Sequence, residues 1–559
     1  MNNEQIADSI LLFSKLLEIH GENSFKIKSY ASAAFNIEKL TVPLSSISSE
    51  KIASMNGIGS SSSQKIIELL QTGKMEALEN LITITPPGIL EMLQIKGIGP
   101  KKINTIWKEM EVETVGELLY ACKENRLKLF KGFGDKTQQN VIQSIEFYFK
   151  NKGVFLYAQV IEFANHLQAI LQAKLSNLRI EITGEVLRQL ETINTIEFIT
   201  EADDVLLNNI IDEIDFLSLV SKTDDFYLLS TSAGISVKIH FCLPANFIQK
   251  TVELGSSELF WQHLSTLINP NLEFNDVEAF FHHINLPIIP SYVIENPNSI
   301  ERILVTSPSS IITTNDIKGI IHCHSDWSDG SNTIKEMALA AMENGMEYLV
   351  ISDHSKSAFY AQGLSIEKVK AQHQYIDELN QSLFPFKIFK SIESDILNDG
   401  SLDYPDEILA QFDLVIASIH SNLKMTEEKA MARLLRAIEN PYTTVLGHLT
   451  GRLLLSRPGY PVNFKTIIDA CAQHHVAIEL NAHPSRLDID WRNIDYALEK
   501  NVLISIDPDS HHVDGLSDIE YGVFVAQKAL VTKKDNLSSF TLKEFEEYIA
   551  TTKKKKWQS

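Results

Sequence analysis

Ile6, Ile10, Leu11, Phe13, Leu16 and Leu17 recur at near-helical spacing, and residues 1–80 read as short amphipathic helices. Three similar turns lie between helical patterns: Met55-Asn56-Gly57-Ile58-Gly59, Ile95-Lys96-Gly97-Ile98-Gly99 and Phe130-Lys131-Gly132-Phe133-Gly134. The pair Pro86-Pro87 separates the first from the second. Over 151–310, helical runs alternate with strand-like ones at Leu178–Ile182, Thr195–Ile199, Phe226–Leu229 and Ser236–Phe241. Pro287–Asp316, rich in Pro, Ser, Asn and Thr, reads as a linker. From Ile317 onward, strand-like runs at Tyr348–Ile351, Phe386–Ile392, Leu414–Ile419, Thr444–Leu446, Val476–Leu480 and Val502–Ile506 alternate with helical patterns. That alternation predicts a parallel α/β fold, and the number of strands favours a barrel.

Length and charge narrow the picture. A chain of 559 residues is long enough for several domains. No apolar run reaches the roughly 18–20 residues that cross a bilayer, so no membrane partner is expected. Met1-Asn2-Asn3-Glu4 lacks the basic stretch of a signal peptide. Cys122, Cys242, Cys323 and Cys471 have no CxxC spacing, which suggests reduced thiols in a cytoplasmic protein. The net charge is −22, unevenly spread: residues 1–150 are balanced, 151–316 carry −13 and 317–559 carry −9. Any grip on nucleic acid is therefore expected in the first third.

A Gly-apolar-Gly turn between helices lets the backbone approach a phosphate, whose oxygens the turn amides can bond. Gly57, Gly59, Lys96, Gly97, Gly99, Lys101, Lys102, Gly132 and Gly134 are the candidate DNA-binding residues. From Leu93 to Lys108 there are four Lys and no acidic residue. The alternative is a set of purely structural turns, since Gly is common at helix ends. The turns resemble helix-hairpin-helix motifs. Their arrangement after Phe25-Lys26-Ile27-Lys28-Ser29-Tyr30 resembles the amino-terminal domain of family X DNA polymerases. Lys65 matches the Schiff-base lysine of that family's lyase members, although an ordinary helix lysine is the simpler account.

The resemblance continues through 151–310, as a polymerase beta-like, nucleotidyltransferase-like palm, but the motifs depart from the family's pattern. Phosphoryl transfer to a nucleotide needs Mg²⁺ held by carboxylates on adjacent strands. Where the family has Gly-Ser-x-Arg-Arg, this chain has Gly184-Glu185-Val186-Leu187-Arg188. Thr195-Ile196-Glu197 replaces Asp-x-Asp, and Lys238 stands where the third Asp belongs. Glu185, Arg188, Thr195, Glu197 and Lys238 thus form a degenerate polymerase site. Mg²⁺ at the palm is doubtful, and a scaffold role is the expectation.

The densest chemistry lies in the last third. His322-Cys323-His324 with Ser328-Asp329-Gly330, Asp353-His354-Ser355, Ile392-Glu393, Ser418-Ile419-His420, Gly447-His448 and Asp509-Ser510-His511 each put His or carboxylate just after a strand-like run. A barrel delivers such residues to one mouth. Residues 317–559 resemble the PHP (polymerase and histidinol phosphatase) domain, a distorted (β/α)7 barrel, attached to bacterial family X polymerases. That resemblance implies three divalent ions on nine ligands: His322, His324, Asp329, His354, Glu393, His420, His448, Asp509 and His511. It also implies that Glu393 bridges. Mixed imidazole and carboxylate ligands suit Zn²⁺, Mn²⁺ or Fe²⁺. Clustered dications supply a nucleophilic water near neutral pH and stabilise charge on phosphoester oxygens. Arg452 and Arg486 are candidate phosphate clamps, with surface salt bridging as the alternative. Lys356, Ser355 and His483 are weaker candidates, and Asp353 and His512 could orient ligands or be bystanders. The run Lys553–Lys556 reads as a solvated tail.

The expected organisation is a helical DNA-binding domain with the first hairpin (1–85), a helix-hairpin-helix region (86–150), a palm and fingers (151–310) and a PHP phosphoesterase domain (317–559). The expected function is a DNA-binding, metal-dependent phosphoesterase and 3′-5′ exonuclease in DNA repair. It would act on gapped, nicked or 3′-recessed DNA without sequence preference, as a monomer in the bacterial cytoplasm at the nucleoid. Three alternatives stand beside it: an active family X polymerase with attached exonuclease, a non-catalytic DNA-binding scaffold, and a small-molecule phosphatase of the histidinol-phosphate type.

Overall fold

The stripe Ile6, Ile10, Phe13, Leu16, Leu17 is buried along the helix Asn3–Ile19, which packs on Ser24–Glu38. This computed structural model describes all residues except 2, 41, 56, 151, 152, 269–271, 558 and 559. The chain divides into two units, Met1–Tyr148 and Phe149–Ser559.

The first unit is helical. Each Gly-apolar-Gly turn sits before a helix start, at Ser60–Thr72, Pro100–Lys108 and Asp135–Lys150. Gly57, Gly97 and Gly132 have φ of 81°, 90° and 96°, the left-handed region that disfavours a side chain. The apolar residues between the glycines, Ile58, Ile98 and Phe133, are buried and anchor the turns. Asn56 lies outside the described residues.

The second unit begins with a five-stranded mixed sheet. Its order is Ile180–Thr183, Thr195–Thr200, Ser236–Phe241, Phe226–Thr231, Leu217–Lys222, with the second and third strands parallel. Leu217–Lys222 is the strand that periodicity does not reveal. It is an edge strand with one buried residue, so it shows no inside–outside alternation.

Seven parallel strands then form the barrel, in the order Gly319–Ile320, Tyr348–Ile351, Lys387–Asp395, Leu414–Ser418, Val445–Leu446, Ala477–Asn481, Ile504–Asp507. A parallel bridge between Cys323 and Ser510 brings the first and last staves together at the mouth. Six of the seven staves are buried at every position, as strands covered on both faces must be.

Two segments differ from expectation. Pro287–Asp316 is a packed strap, not a linker: Ile289, Val293, Ile300, Ile303 and Ile311 are buried with Phe247, Phe260, Phe280 and Leu530, which lies in the turn after the barrel helix Ile519–Lys528. Each such burial is worth roughly 1.5–3 kcal/mol, which outweighs the loop-like composition. The terminal lysines are not a free tail but part of the helix Leu542–Trp557. That helix closes the amino-terminal end of the barrel. Phe545 stacks on Tyr348 at 4.5 Å, Lys553 Nζ donates to Phe412 O at 2.6 Å, and Lys556 Nζ donates to Thr443 O.

Candidate metal centre

Six barrel strands deliver the nine predicted ligands to one mouth. His322, His324 and Asp329 follow Gly319–Ile320, and His354 follows Tyr348–Ile351. Glu393 lies inside Lys387–Asp395, while His420, His448 and the pair Asp509 and His511 follow Leu414–Ser418, Val445–Leu446 and Ile504–Asp507. The turn behind Asp329 requires Gly330, where a Cβ would lie 2.8 Å from His324 O.

Glu393 is the hub. Its Oε1 is 2.9 Å from His448 Nε2, 3.1 Å from His420 Nε2 and 3.6 Å from His322 Nε2. Its Oε2 is 2.9 Å from His354 Nδ1 and 3.7 Å from His324 Nε2. Asp509 Oδ1 reaches His324 and His322 at 3.1 and 3.4 Å, and Asp329 lies 3.4 Å from His354 and 3.5 Å from His511. Three overlapping groups have spacing suited to an ion: His324, Asp329, His354, His511; His322, His324, Asp509; and His354, Glu393, His420.

The donor set fits divalent metal. His324 Nδ1 and His448 Nδ1 are buried polar atoms with no hydrogen-bond partner, which is costly unless something binds there. Electrostatics agree. Burial opposes charge on every group, yet the imidazoles of His354 and His511 hold Asp329 well below the carboxylate range. His420, His322 and His354 do the same to Glu393. Conversely, Glu393 and Asp395 outweigh burial and raise His420 to about 9, while burial, His511 and His354 push His324 down to about 3. The carboxylates call for positive charge, which divalent ions supply on neutral imidazoles.

Outer partners orient this shell. Glu479 accepts from His322 Nδ1 at 2.5 Å and from the His448 amide, turning His322 Nε2 toward Glu393. Asp395 accepts from His420 Nδ1 at 2.9 Å. Asn481 Nδ2 donates to Asp509 Oδ2 at 3.0 Å. Asp353 accepts from Ser325, Ser328 and Gln372, fixing the loop that carries Asp329. Sequence reading missed Glu479, Asp395 and Asn481, although an acid between Ile478 and Leu480 in an apolar strand is a readable signal.

The two arginines part company. Arg486 is 5% exposed, with Nε 3.7 Å from Asp509 Oδ2. Arg452 instead donates Nε to Arg486 O, Nη1 to Asp490 and Nη2 to Leu487 O, so it serves a loop and not an incoming phosphate. His512 caps the turn Val513–Asp518, Ser355 Oγ accepts from the Asp395 amide, and His483 Nδ1 accepts from the Ser485 amide. Lys356 Nζ lies 5.6 Å over the Tyr404 ring.

In the mixed sheet, Glu197 and Lys238 are register partners on adjacent parallel strands. His240 Nε2 lies 2.8 Å from Glu197 Oε2. Glu185 accepts from the Asn194 amide at 2.6 Å and from the Thr195 amide at 3.5 Å. Arg188 Nε pairs with Glu295 at 2.5 Å. At the hairpins, a Cβ added at Gly97, Gly99, Gly132 or Gly134 would meet nothing within 4 Å, so these turns face open space. At Gly59 it would lie 3.5 Å from Ser29 Oγ, and at Gly57 it would clash with Asn36. Lys96 and Lys101 are exposed, Lys102 Nζ donates to Gly97 O, and Lys65 pairs with Glu68 at 2.7 Å.

Comparison with known proteins follows this division. Residues 1–75 match a helix-hairpin-helix domain, 89–146 a SAM-like helix-hairpin-helix tandem and 321–483 a PHP domain. A DNA polymerase/3′-5′ exonuclease PolX of Bacillus subtilis is 29% identical over 98% of this chain and 99% of its own length. The chain is similar to bacterial PolX. Probable phosphatases of Acetivibrio thermocellus and Vibrio parahaemolyticus are 27% and 29% identical over 40% and 38% of the chain, and over 91% and 84% of their own lengths. The similarity to PolX thus runs nearly end to end, mixed sheet included. No described helix is long and apolar enough to cross a membrane.

Proposed function

We propose that this PolX relative is a DNA-binding, metal-dependent phosphoesterase that removes nucleotides from 3′ ends in DNA repair. The observation that carries the reading is the convergence of His322, His324, Asp329, His354, Glu393, His420, His448, Asp509 and His511 around one carboxylate at the barrel mouth. Six imidazoles and three carboxylates would hold three divalent ions of the Zn²⁺, Mn²⁺ or Fe²⁺ type, with Glu393 bridging and Asp509 completing one shell. Bound there, such ions supply an activated water and charge stabilisation for phosphoester hydrolysis. The chain's own part is to fix ligand orientation through Glu479 and Asp395, and to meet a phosphate oxygen with Arg486.

Residues 1–85 and 86–150 would hold the DNA through exposed hairpin backbone and Lys96, Lys101 and Lys102, giving sequence-independent, salt-sensitive binding. Residues 151–310 would no longer polymerise, because Lys238 puts positive charge at Glu197, where a dication would be needed. Residues 317–559 would carry the hydrolytic chemistry. The similarity to probable phosphatases favours a second reading, hydrolysis of small phosphomonoesters, and the hairpins favour DNA.

The test is a 5′-labelled primer-template incubated with Mn²⁺ or Mg²⁺, with and without dNTPs. Shortening without extension is the expected result. Extension that survives His322→Ala would refute the reading of the palm. Shortening that survives combined replacement of His322, His324 and Glu393 would refute the site, and no reaction under any metal would favour the scaffold.

A further inference from the structure

The backbone of Arg486 is held by a chain of ion pairs that begins at Glu191, just before the short strand Thr192–Ile193, which pairs with Phe155–Leu156. Glu191 Oε1 lies 3.3 Å from Arg492 Nη1, which lies 2.9 Å from Asp490 Oδ2. The same Asp490 oxygen takes Arg452 Nη1 at 2.6 Å. Arg452 in turn donates Nε to Arg486 O at 2.9 Å and Nη2 to Leu487 O. The loop is shaped by these contacts: Leu487 sits at φ 47°, a conformation a leucine keeps only when its surroundings impose it. Tyr157, Gln189, Leu190 and Glu191 pack against Pro484 and Leu487, leaving a cavity of about 10 Å³, room for one water at most. Glu191 is 9% exposed and Arg452 is largely buried, but Arg492 between Glu191 and Asp490 is 56% exposed, so the Glu191 end is the more screened and should act more weakly than Arg452.

We propose that Glu191, Arg492, Asp490 and Arg452 are positioning residues for Arg486. Through them the segment that follows Gly184–Arg188 sets where the barrel presents its phosphate-binding guanidinium. Arg486 N also donates to His483 O at 2.7 Å, so the loop backbone fixes the root of the side chain whose Nε approaches Asp509. Two carbonyls pulled by one arginine, itself oriented by a carboxylate, hold that backbone in a single position. This inference rests on the phosphoesterase reading above, and it gives the segment around Glu191 a function independent of Glu197 and Lys238.

The experiment uses the full chain loaded with Mn²⁺ and a 3′-recessed DNA. kcat/KM is measured for wild type, Arg452→Gln and Glu191→Gln, each also combined with Arg486→Lys, together with inhibition by inorganic phosphate and metal content. Arg452→Gln should lower kcat/KM about tenfold and weaken phosphate inhibition in proportion, and Glu191→Gln should lower it about threefold, with metal content unchanged. In the Arg486→Lys background, either substitution should cost less than about twofold more, because the residue they position has already been altered. Full additive losses, no loss in the wild-type background, or loss of metal from the variants would each overturn the inference. Absence of hydrolysis by the wild-type chain would overturn the phosphoesterase reading and this inference with it, whereas hydrolysis with additive losses overturns the inference alone.

Discussion

Lys238 stands opposite Glu197 on the neighbouring parallel strand, with Nζ 3.9 Å from Glu197 Oε2. In the reading proposed above, the pair stands where a polymerase palm would need two metal-binding carboxylates. Glu197→Gln should therefore leave the chain's metal content unchanged, whereas Glu393→Gln should lower it. Elemental analysis of the purified variants decides this.

The same glutamate gives an acid-sensitivity prediction. Burial raises the Glu197 pKa, but His240 and Lys238 outweigh it and hold the carboxyl below its ordinary value. A depressed folded pKa contributes stability above the unfolded value of about 4.5, and that stability is lost as pH falls through the folded value. Glu197→Gln should cost about 1–2 kcal/mol at neutral pH and lessen the loss of stability below about pH 4.5. Urea unfolding at pH 7 and pH 4 measures both.

Glu479 touches no predicted substrate atom but fixes His322 and the His448 amide. Glu479→Gln should weaken metal binding about 10–100-fold while leaving the barrel folded. Competition with a chromogenic chelator, alongside circular dichroism, reads the two effects separately.

Lys528 is buried, with Nζ donating to Arg188 O at 2.6 Å, and burial lowers its pKa to about 8 against the pull of Glu295 and Glu191. The unfolded chain then binds protons more readily, so stability should rise as pH climbs from about 8 toward the unfolded value of about 10.5. The gain is on the order of 1–3 kcal/mol, and Lys528→Met should flatten it. Melting temperatures of both proteins at pH 7.5 and pH 10 test the difference.

Phe545 fills the barrel floor against Tyr348 and Phe389. Phe545→Ala should cost about 3–5 kcal/mol of stability in denaturant titration. Deleting Leu542–Trp557 should cost more, because Lys553 and Lys556 would also leave Phe412 O and Thr443 O unpaired.

Legibility followed physical pattern. Ser236–Phe241 and Tyr348–Ile351 were readable to the residue, because alternation or a buried apolar run marks them. The nine predicted ligands could be picked out because His and carboxylate recur at strand ends, and the structure brings them to one mouth. Arg452 and Arg486 looked alike in sequence, since each follows a barrel strand, and only the path of the loop separates them. The strap and the terminal helix were misread because composition reports solvent preference on average, whereas burial depends on partners far away in sequence. Ile311 packs with Leu530, and Lys553 finds a carbonyl near residue 412.

The strap around Ile300, Ile303 and Ile311 shares its core with Leu530, in the turn after the barrel helix Ile519–Lys528, and Arg302 reaches Asp495 and Ala529 O. The sheet's shape and the barrel's solidity are therefore one inheritance, while the sheet's reactive positions are another. A change at Thr195 or Lys238 takes nothing from the barrel, but a change at Ile303 does. Selection acting on the barrel alone would thus preserve the sheet's packing whatever side chains stood at Glu197 and Lys238.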